Sequence, residues 1–304
     1  MVGHHDLYGI IRENSPQLAP VETGVEPRLT PLPDIRAVLF DVYGTLFISA
    51  SGDISIAAAA NTAEAVVFAL RSGGIDVADE EDAGREGHTI LEAAIKAEHR
   101  QKKAAGIPFP EVDIREIWRQ VLRGLETRGA VAPGTSGDAA VDLVAVAYEC
   151  AVNPVSPMPH AGEAIRLVDE RGLRLGIVSN AQFYTPLLFP ALLNKPLHAL
   201  GFDPDLCAWS YQAGLAKPSV ELFTPILERL RKNGVIAAAR DVLYVGNDCL
   251  NDVWTATGAG CRTALFAGDK RSLRMRSDDP RCREVQPDAV LTSLAQLSIV
   301  LETP

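Results

Sequence analysis

Short apolar runs alternate with helix-period stretches along much of the chain, and that alternation points to the fold. Ala37–Asp41 reads AVLFD, a continuous apolar run that ends in a carboxylate and is followed by the turn residues YGT. Such a run predicts a buried parallel strand with a functional loop at its C-terminal end. Comparable runs recur at Arg174–Ser179 (RLGIVS), Asp241–Val245 (DVLYV) and Arg262–Phe266 (RTALF), with a weaker one at Leu206–Ser210. Between them, Ala161–Arg171, Val220–Lys232 and Asn251–Ala259 carry helical spacing. Strands that alternate with helices need crossover connections, so the predicted fold class is α/β, a doubly wound parallel sheet.

One stretch breaks the alternation. From about Ser55 to Tyr148 the pattern predicts four helices and no strand: Ile54–Arg71, stopped by Gly73 and Gly74; Glu80–Lys103; Ile114–Arg128 behind an Asp113 N-cap; and Asp138–Tyr148. A helical block placed after the first strand is expected to sit as a cap over the strand ends, where open α/β sheets bind ligands. Residues 35–50 and 152–304 then form the core and residues 51–151 the cap. Residues 1–34 hold five of the 20 prolines and show no sustained period, which predicts an arm, ordered only where it packs on something else.

Composition narrows the function. At 304 residues, 47% hydrophobic and 22% charged, the chain is long and apolar enough for a main domain with a second module. Its net charge of -10 argues against nucleic-acid binding, which needs basic stripes, but leaves room for a small anionic substrate in a locally cationic cleft. The five cysteines form no C-x-x-C pair and read as free thiols. No signal-peptide core or membrane-length apolar run is present, so no membrane partner and a soluble, cytoplasmic protein are expected. Oligomeric state has no signature here.

In a parallel sheet the C-terminal strand ends share one rim, so segments distant in sequence meet there. Four qualify: Asp41–Leu46, Ser179–Asn180, Lys217–Pro218 and Gly246–Asp252. Asp41, at the end of a buried strand, is a candidate nucleophile, able to form an ester or acyl phosphate that water later cleaves. Gly44 lets the turn bring backbone N–H groups near an anion, and the Thr45 hydroxyl can anchor that turn. Ser179 and the next N–H groups can hold an oxyanion, with Asn180 orienting the site. Lys217 can neutralise the nucleophile and substrate oxygens, and the following Pro218 suits the first turn of a helix. Asp248 and Asp252, joined to Asp41, set three carboxylates against one lysine. Desolvating that cluster without a cation is costly, and hard oxygen ligands suit Mg2+.

Taken in order, these four segments resemble the motifs of the haloacid dehalogenase superfamily, hydrolases with a Rossmann-like core and, in many members, an α-helical cap inserted after the first motif. The resemblance implies an aspartate-nucleophile hydrolase in which the backbone carbonyl at Tyr43 joins Asp41 and the motif-four acids around the metal. Two positions depart from the pattern. Tyr43 stands where phosphatases of the family carry a second Asp, the acid and base of the reaction, and a phenol with an ordinary pKa near 10 replaces it poorly. D-x-Y-G-T-L resembles instead the 2-haloacid dehalogenase branch, whose departing halide needs no proton. Asn247 takes the usual first acidic position of motif four, with Asp248 next to it, so either residue is a candidate metal contact.

The acidic motif four favours Mg2+-dependent hydrolysis of a small phosphorylated substrate. The alternatives are a metal-independent 2-haloacid dehalogenase and a catalytically degenerate ligand-binding protein. Arg71 is a position-based candidate to clamp a haloacid carboxylate. Arg100, Lys102 and Lys103 read as a solvated helix end, and Lys270, Arg271, Arg274 and Arg276 as an exposed loop. Ile117 and Trp118 read as cap core. His88 and His99 lie on a cap helix with no assigned direction, and His4 and His5 receive no role.

Overall fold

The computed structural model describes residues 4–51 and 62–302. In chain order its strands are β1 (Ala37–Phe40), β2 (Phe47–Ser49), β3 (Val155–Pro157), β4 (Arg174–Ser179), β5 (Phe202–Trp209), β6 (Val242–Gly246), β7 (Arg262–Phe266) and β8 (Ala289–Leu291). Six of them make one parallel sheet in the order β5-β4-β1-β6-β7-β8. β1 is central, with Phe40 aligned to Ile177 on one side and to Val245 on the other. The chain runs outward from β1 through β4 to β5, then crosses back to β6 and continues the other way. Connections therefore leave in opposite directions beside β1, which opens a crevice at its C-terminal end.

Side chains that alternate across β1 and β6 divide between two cores. Val38, Phe40, Leu243 and Val245 join a core that continues into the cap, while Ala37, Leu39, Val242 and Tyr244 join a second one behind the sheet. With both faces covered, β1 and β6 are buried throughout, which is why they read as unbroken apolar runs.

The cap lies between β2 and β3, an antiparallel pair that forms both crossings from the core. Its helices follow α1 (His4–Glu13) of the arm and are α2 (Thr62–Ser72), α3 (Glu80–Ala104), α4 (Ile114–Thr127) and α5 (Asp138–Val152). α2 packs on α3 and α5, and α4 on α3 and α5. Asp79 caps α3 by accepting from Asp82 N, and Asp113 caps α4 by accepting from Arg115 N at 2.9 Å. The expected start of the first cap helix, from Ile54, falls outside the described residues. α5 runs four residues past its expected end at Tyr148, which carries Glu149 into the helix.

The structure departs from the sequence expectation in four places. Arm residues 4–13 form a helix, because Leu7 and Ile11 bury one face against α5 and the helix Leu188–Leu192. Arg28 pairs with Val290 as an extension of the sheet edge. The stretch expected as the helix Asn251–Ala259 instead starts at Cys249 with a wide π-type turn, continued by the short helix Thr255–Gly258. Pro218 does not open a helix: a short 3-10 turn at Val220–Leu222 follows it, and the helix itself is Thr224–Lys232. Among the described residues no helix is long and apolar enough to cross a membrane, and the five cysteines are free.

Candidate active site

A cavity of about 670 Å³ opens between cap and sheet, walled on the core side by the ends of β1, β4 and β6. Asp41, Tyr43, Asn180, Lys217, Asn247, Asp248 and Asp252 all line it. At its floor the Lys217 ammonium donates to Asp41 Oδ1 at 2.8 Å, to Asp252 Oδ1 at 2.5 Å and to the Tyr244 hydroxyl at 2.9 Å. Burial alone would drive the ammonium toward neutrality, but Asp252 and Asp41 outweigh it and hold the Lys217 pKa above its ordinary value. Burial pushes Asp252 up even against the pull of Lys217, and Asp41 and Asp248 push the same way. With three oxygens around its nitrogen, Lys217 is held as the charged ammonium.

Local sequence explains this geometry. Gly44 has φ +79°, and a Cβ there would lie 2.5 Å from Ser272 Cβ and 2.6 Å from Asn247 Nδ2, so only glycine lets the turn after β1 close onto motif four. At Gly246 a side chain would run into the Asp252 carboxylate, which folds back over the strand end to accept from Asp248 N at 2.9 Å. Asn180 holds the lysine segment in place, since its Oδ1 accepts from Lys217 N at 2.8 Å.

Two predicted residues stand behind the cavity wall. Thr45 is fully buried and donates to Asn247 Oδ1 at 3.2 Å, which ties the first motif to the fourth. Ser179 is equally buried, its hydroxyl 3.4 Å from the Asn180 carbonyl. Tyr43 is fixed through a hydroxyl contact of 3.0 Å with Thr185. Burial and the neighbouring Glu149 hold its phenol well above the ordinary range, so it is protonated and unfit as a base.

The three carboxylates expected around one cation are each engaged by other groups in this structure. Asp248 turns to Arg276, which donates Nη2 to Oδ2 at 2.6 Å and Nε to both oxygens at 3.1 and 3.2 Å. Its oxygens also accept from the N–H groups of Leu250 and Asn251, at 2.8 and 3.1 Å. Asp252 spends Oδ1 on Lys217 and Tyr244 and Oδ2 on Asp248 N. Among the described residues no three His, Cys, Asp or Glu side chains gather as ligands. As arranged, the donor set does not fit an octahedral cation, which needs converging open oxygens. Two cations, not one, face the three carboxylates.

Arg276 also corrects the reading of the basic loop. It lines the cavity with Arg274, whose backbone pairs with motif four through Arg274 N to Asn247 O at 3.0 Å and Cys249 N to Arg274 O at 2.8 Å. Arg71, by contrast, lies on an exposed face, paired with Glu80 and away from the cavity lining. Lys102 is not a free helix end either, because it donates to Glu111 O at 2.6 Å.

Other functional neighbours have no motif. Tyr244 points from β6 into the lysine cluster, its hydroxyl 2.7 Å from Val178 O and 3.0 Å from Asp252 Oδ1. Its only signal was a phenol inside a buried strand, where the hydroxyl needs a partner. Glu149 accepts from Asn153 at 3.0 Å and from the Tyr184 hydroxyl at 2.9 Å, and burial raises its pKa. Gln182 clamps the cap, donating to Val112 O at 2.9 Å and accepting from Ile114 N at 3.0 Å.

Comparison with known proteins agrees with this construction. Residues 35–260 match the family model of haloacid dehalogenase-like hydrolases, a span of both core and cap. The chain belongs to this family. It is 28% identical over 239 residues to the phosphoglycolate phosphatase of Escherichia coli, covering 75% of this chain and 79% of that one. It is also 28% identical over 146 residues to a ribulose-1,5-bisphosphate 5-phosphatase of Halopiger xanaduensis. That match covers 47% of this chain and 56% of the relative, so it spans about half of each. Among solved structures, the 2-haloacid dehalogenase of Pseudomonas syringae superposes with a TM-score of 0.51 at 22% identity, over 88% of this chain and 98% of that one. At that identity the likeness speaks for the fold alone. The protein is accordingly a haloacid dehalogenase-like hydrolase with a helical cap.

Proposed function

We propose that this hydrolase is a phosphatase acting on a small phosphorylated substrate, with Asp41 as nucleophile. The observation that carries the reading is the lysine held against the nucleophile, Lys217 Nζ 2.8 Å from Asp41 Oδ1, in a cavity that Arg274 and Arg276 also line, so cations are at hand to meet phosphoryl oxygens. Two phosphatases among the relatives support it. Asp41 Oδ1 is engaged by Lys217, which leaves Oδ2 to attack phosphorus. The bond from phosphorus to the leaving oxygen breaks as the aspartyl phosphate forms, and the leaving oxygen takes its proton from solvent, since Tyr43 is tied to Thr185. Water then cleaves the acyl phosphate and restores Asp41. Lys217 neutralises charge on the carboxylate and the phosphoryl oxygens throughout.

Tyr43 favours the second reading, a 2-haloacid dehalogenase, because a halide leaves without a proton. A panel of phosphate esters and 2-haloacids, assayed for phosphate and halide with Mg2+ and with chelator, separates the two. Phosphate release alone is expected. Halide release without phosphate release would replace the phosphatase with the dehalogenase, and binding without either product would indicate a degenerate member.

In wild type Arg276 occupies Asp248, the carboxylate that with Asp41 and the Tyr43 carbonyl would otherwise hold Mg2+. Arg276→Ala should free Asp248, so millimolar Mg2+ is expected to raise the melting temperature of the variant more than that of the wild type. A ligand that binds only the native state stabilises it by about 2.7 kcal/mol at 100 times its Kd. Equal shifts in the two proteins would show that Arg276 does not guard the metal ligand.

A further inference from the structure

The cap joins the core through two crossings, and one buried side chain ties both together. Asn153, 2% exposed, accepts through Oδ1 from Ser49 Oγ at 2.7 Å, from Ser51 Oγ at 2.8 Å and from Ser51 N at 3.3 Å. Its Nδ2 donates to Glu149 Oε1 at 3.0 Å, and Glu149 Oε2 accepts from the Tyr184 hydroxyl of the core at 2.9 Å. The hinge of the cap is thus a polar network that runs from β2 through α5 into the core. Such bonds are strongest where water is kept out, because water competes for the same donors and acceptors. The site is dry: burial pushes the thiol of Cys150, next to Glu149, up to about 12.

What seals this hinge lies outside the matched family span, which starts at residue 35. Ile11 of α1, 1% exposed, closes a gap of about 10 Å³ whose other walls include Tyr43, Glu149, Asn153, Tyr184 and Leu188, no more room than one water needs. Leu7 is buried one turn before it, and α1 packs at once on α5 of the cap and on the core helix Leu188–Leu192. Arg12 fixes the core side by donating Nε to Ala191 O at 2.9 Å. The arm is then anchored a second time, in the loop that carries Arg274 and Arg276. There Val21 N donates to the buried Asp269 Oδ1 at 3.0 Å, and Lys270 N to Val21 O at 2.8 Å. We infer that α1 is a wedge that clamps the cap at its hinge, and that the cap swings away from the sheet only when α1 leaves α5. The second anchor keeps a released α1 at high effective concentration, so the wedge returns after each opening.

The clamp holds whichever ester or haloacid the site turns over, and its test reads a distance instead of a rate. Spin labels at Arg123→Cys on α4 of the cap and Lys232→Cys on the core stand at exposed positions, with the half-buried Cys207 replaced by Ser to keep it unlabelled. Pulsed electron paramagnetic resonance on the full chain then measures the distance from cap to core. With α1 intact, a single narrow distribution is expected. Ile11→Asp sets a charge in the dry gap and should release the wedge, adding a second population at longer distance. A melting transition shows that the variant is folded. If Ile11→Asp does not fold, Ile11→Ala carries the test, since it loosens the wedge by a cavity and adds no charge. The same narrow distribution in a folded variant overturns the clamp. A broad distribution already present with α1 intact overturns it as well, because the cap would then swing with the wedge in place.

Discussion

Asp41→Asn is expected to leave the protein folded while lowering kcat by on the order of 10⁴-fold or more, the usual scale for loss of a nucleophile that nothing else replaces. The side chain keeps its shape, and the amide oxygen still accepts from Lys217, whose present contact with Asp41 Oδ1 is 2.8 Å. What disappears is the carboxylate oxygen left free to attack phosphorus. Stability should not fall, because Asp41 is one of the charges that push the Asp252 pKa up, and removing it relieves like-charge repulsion at the floor of the site. Phosphate release by purified variant and wild type, with melting curves of both, checks the two halves together. Substantial activity in a contamination-free preparation of the folded variant would rule out the covalent route through Asp41.

What the sequence revealed follows from how local each signal was. β1, β4, β6 and β7 were legible because burial on both faces leaves an unbroken apolar run, and Asp41 stood out because it ends one. β2, β3 and β8 have only three residues each, too few to show any period, and they exist because the chain must cross between core and cap or close the sheet edge. The arm helix was hidden in a proline-rich stretch, since Leu7 and Ile11 become a face only when α5 lies beside them. Arg276 looked like part of a solvated loop. Its approach to Asp248 depends on the backbone pairing of Arg274 with Asn247 and Cys249, a contact between segments that share no spacing rule. For the same reason the count of three carboxylates against one lysine missed the second cation. Glu149, Gln182 and Trp118 became neighbours of the site only once the cap was closed over the sheet.

Lys217→Met should be the most destabilising single change in the site, at about 3–5 kcal/mol near neutral pH, because it leaves buried carboxylates without their partner. Asp41 and Asp252 are 7% and 1% exposed, so water cannot take over from the ammonium. The loss should also depend on pH. In wild type, the raised Lys217 pKa contributes stability that is complete below its unfolded value, about 10.4, and is lost only as pH rises through the higher folded value. In the variant the pull of Lys217 on Asp252 is gone, so the Asp252 pKa, already pushed up to about 6, rises further. A carboxyl whose folded pKa exceeds its unfolded value stabilises fully below the unfolded value and loses that contribution as pH climbs through the folded one. The gap between wild type and variant should therefore be widest at high pH and narrow as pH falls through the variant's raised Asp252 pKa to about 6, the wild-type value, below which both folded proteins carry the proton. Urea unfolding of both proteins at pH 5 and pH 8 measures it. A gap of the same size at both values would mean that Lys217 contributes by packing its stem against the sheet, and that the charge it carries is not what holds the floor of the site together.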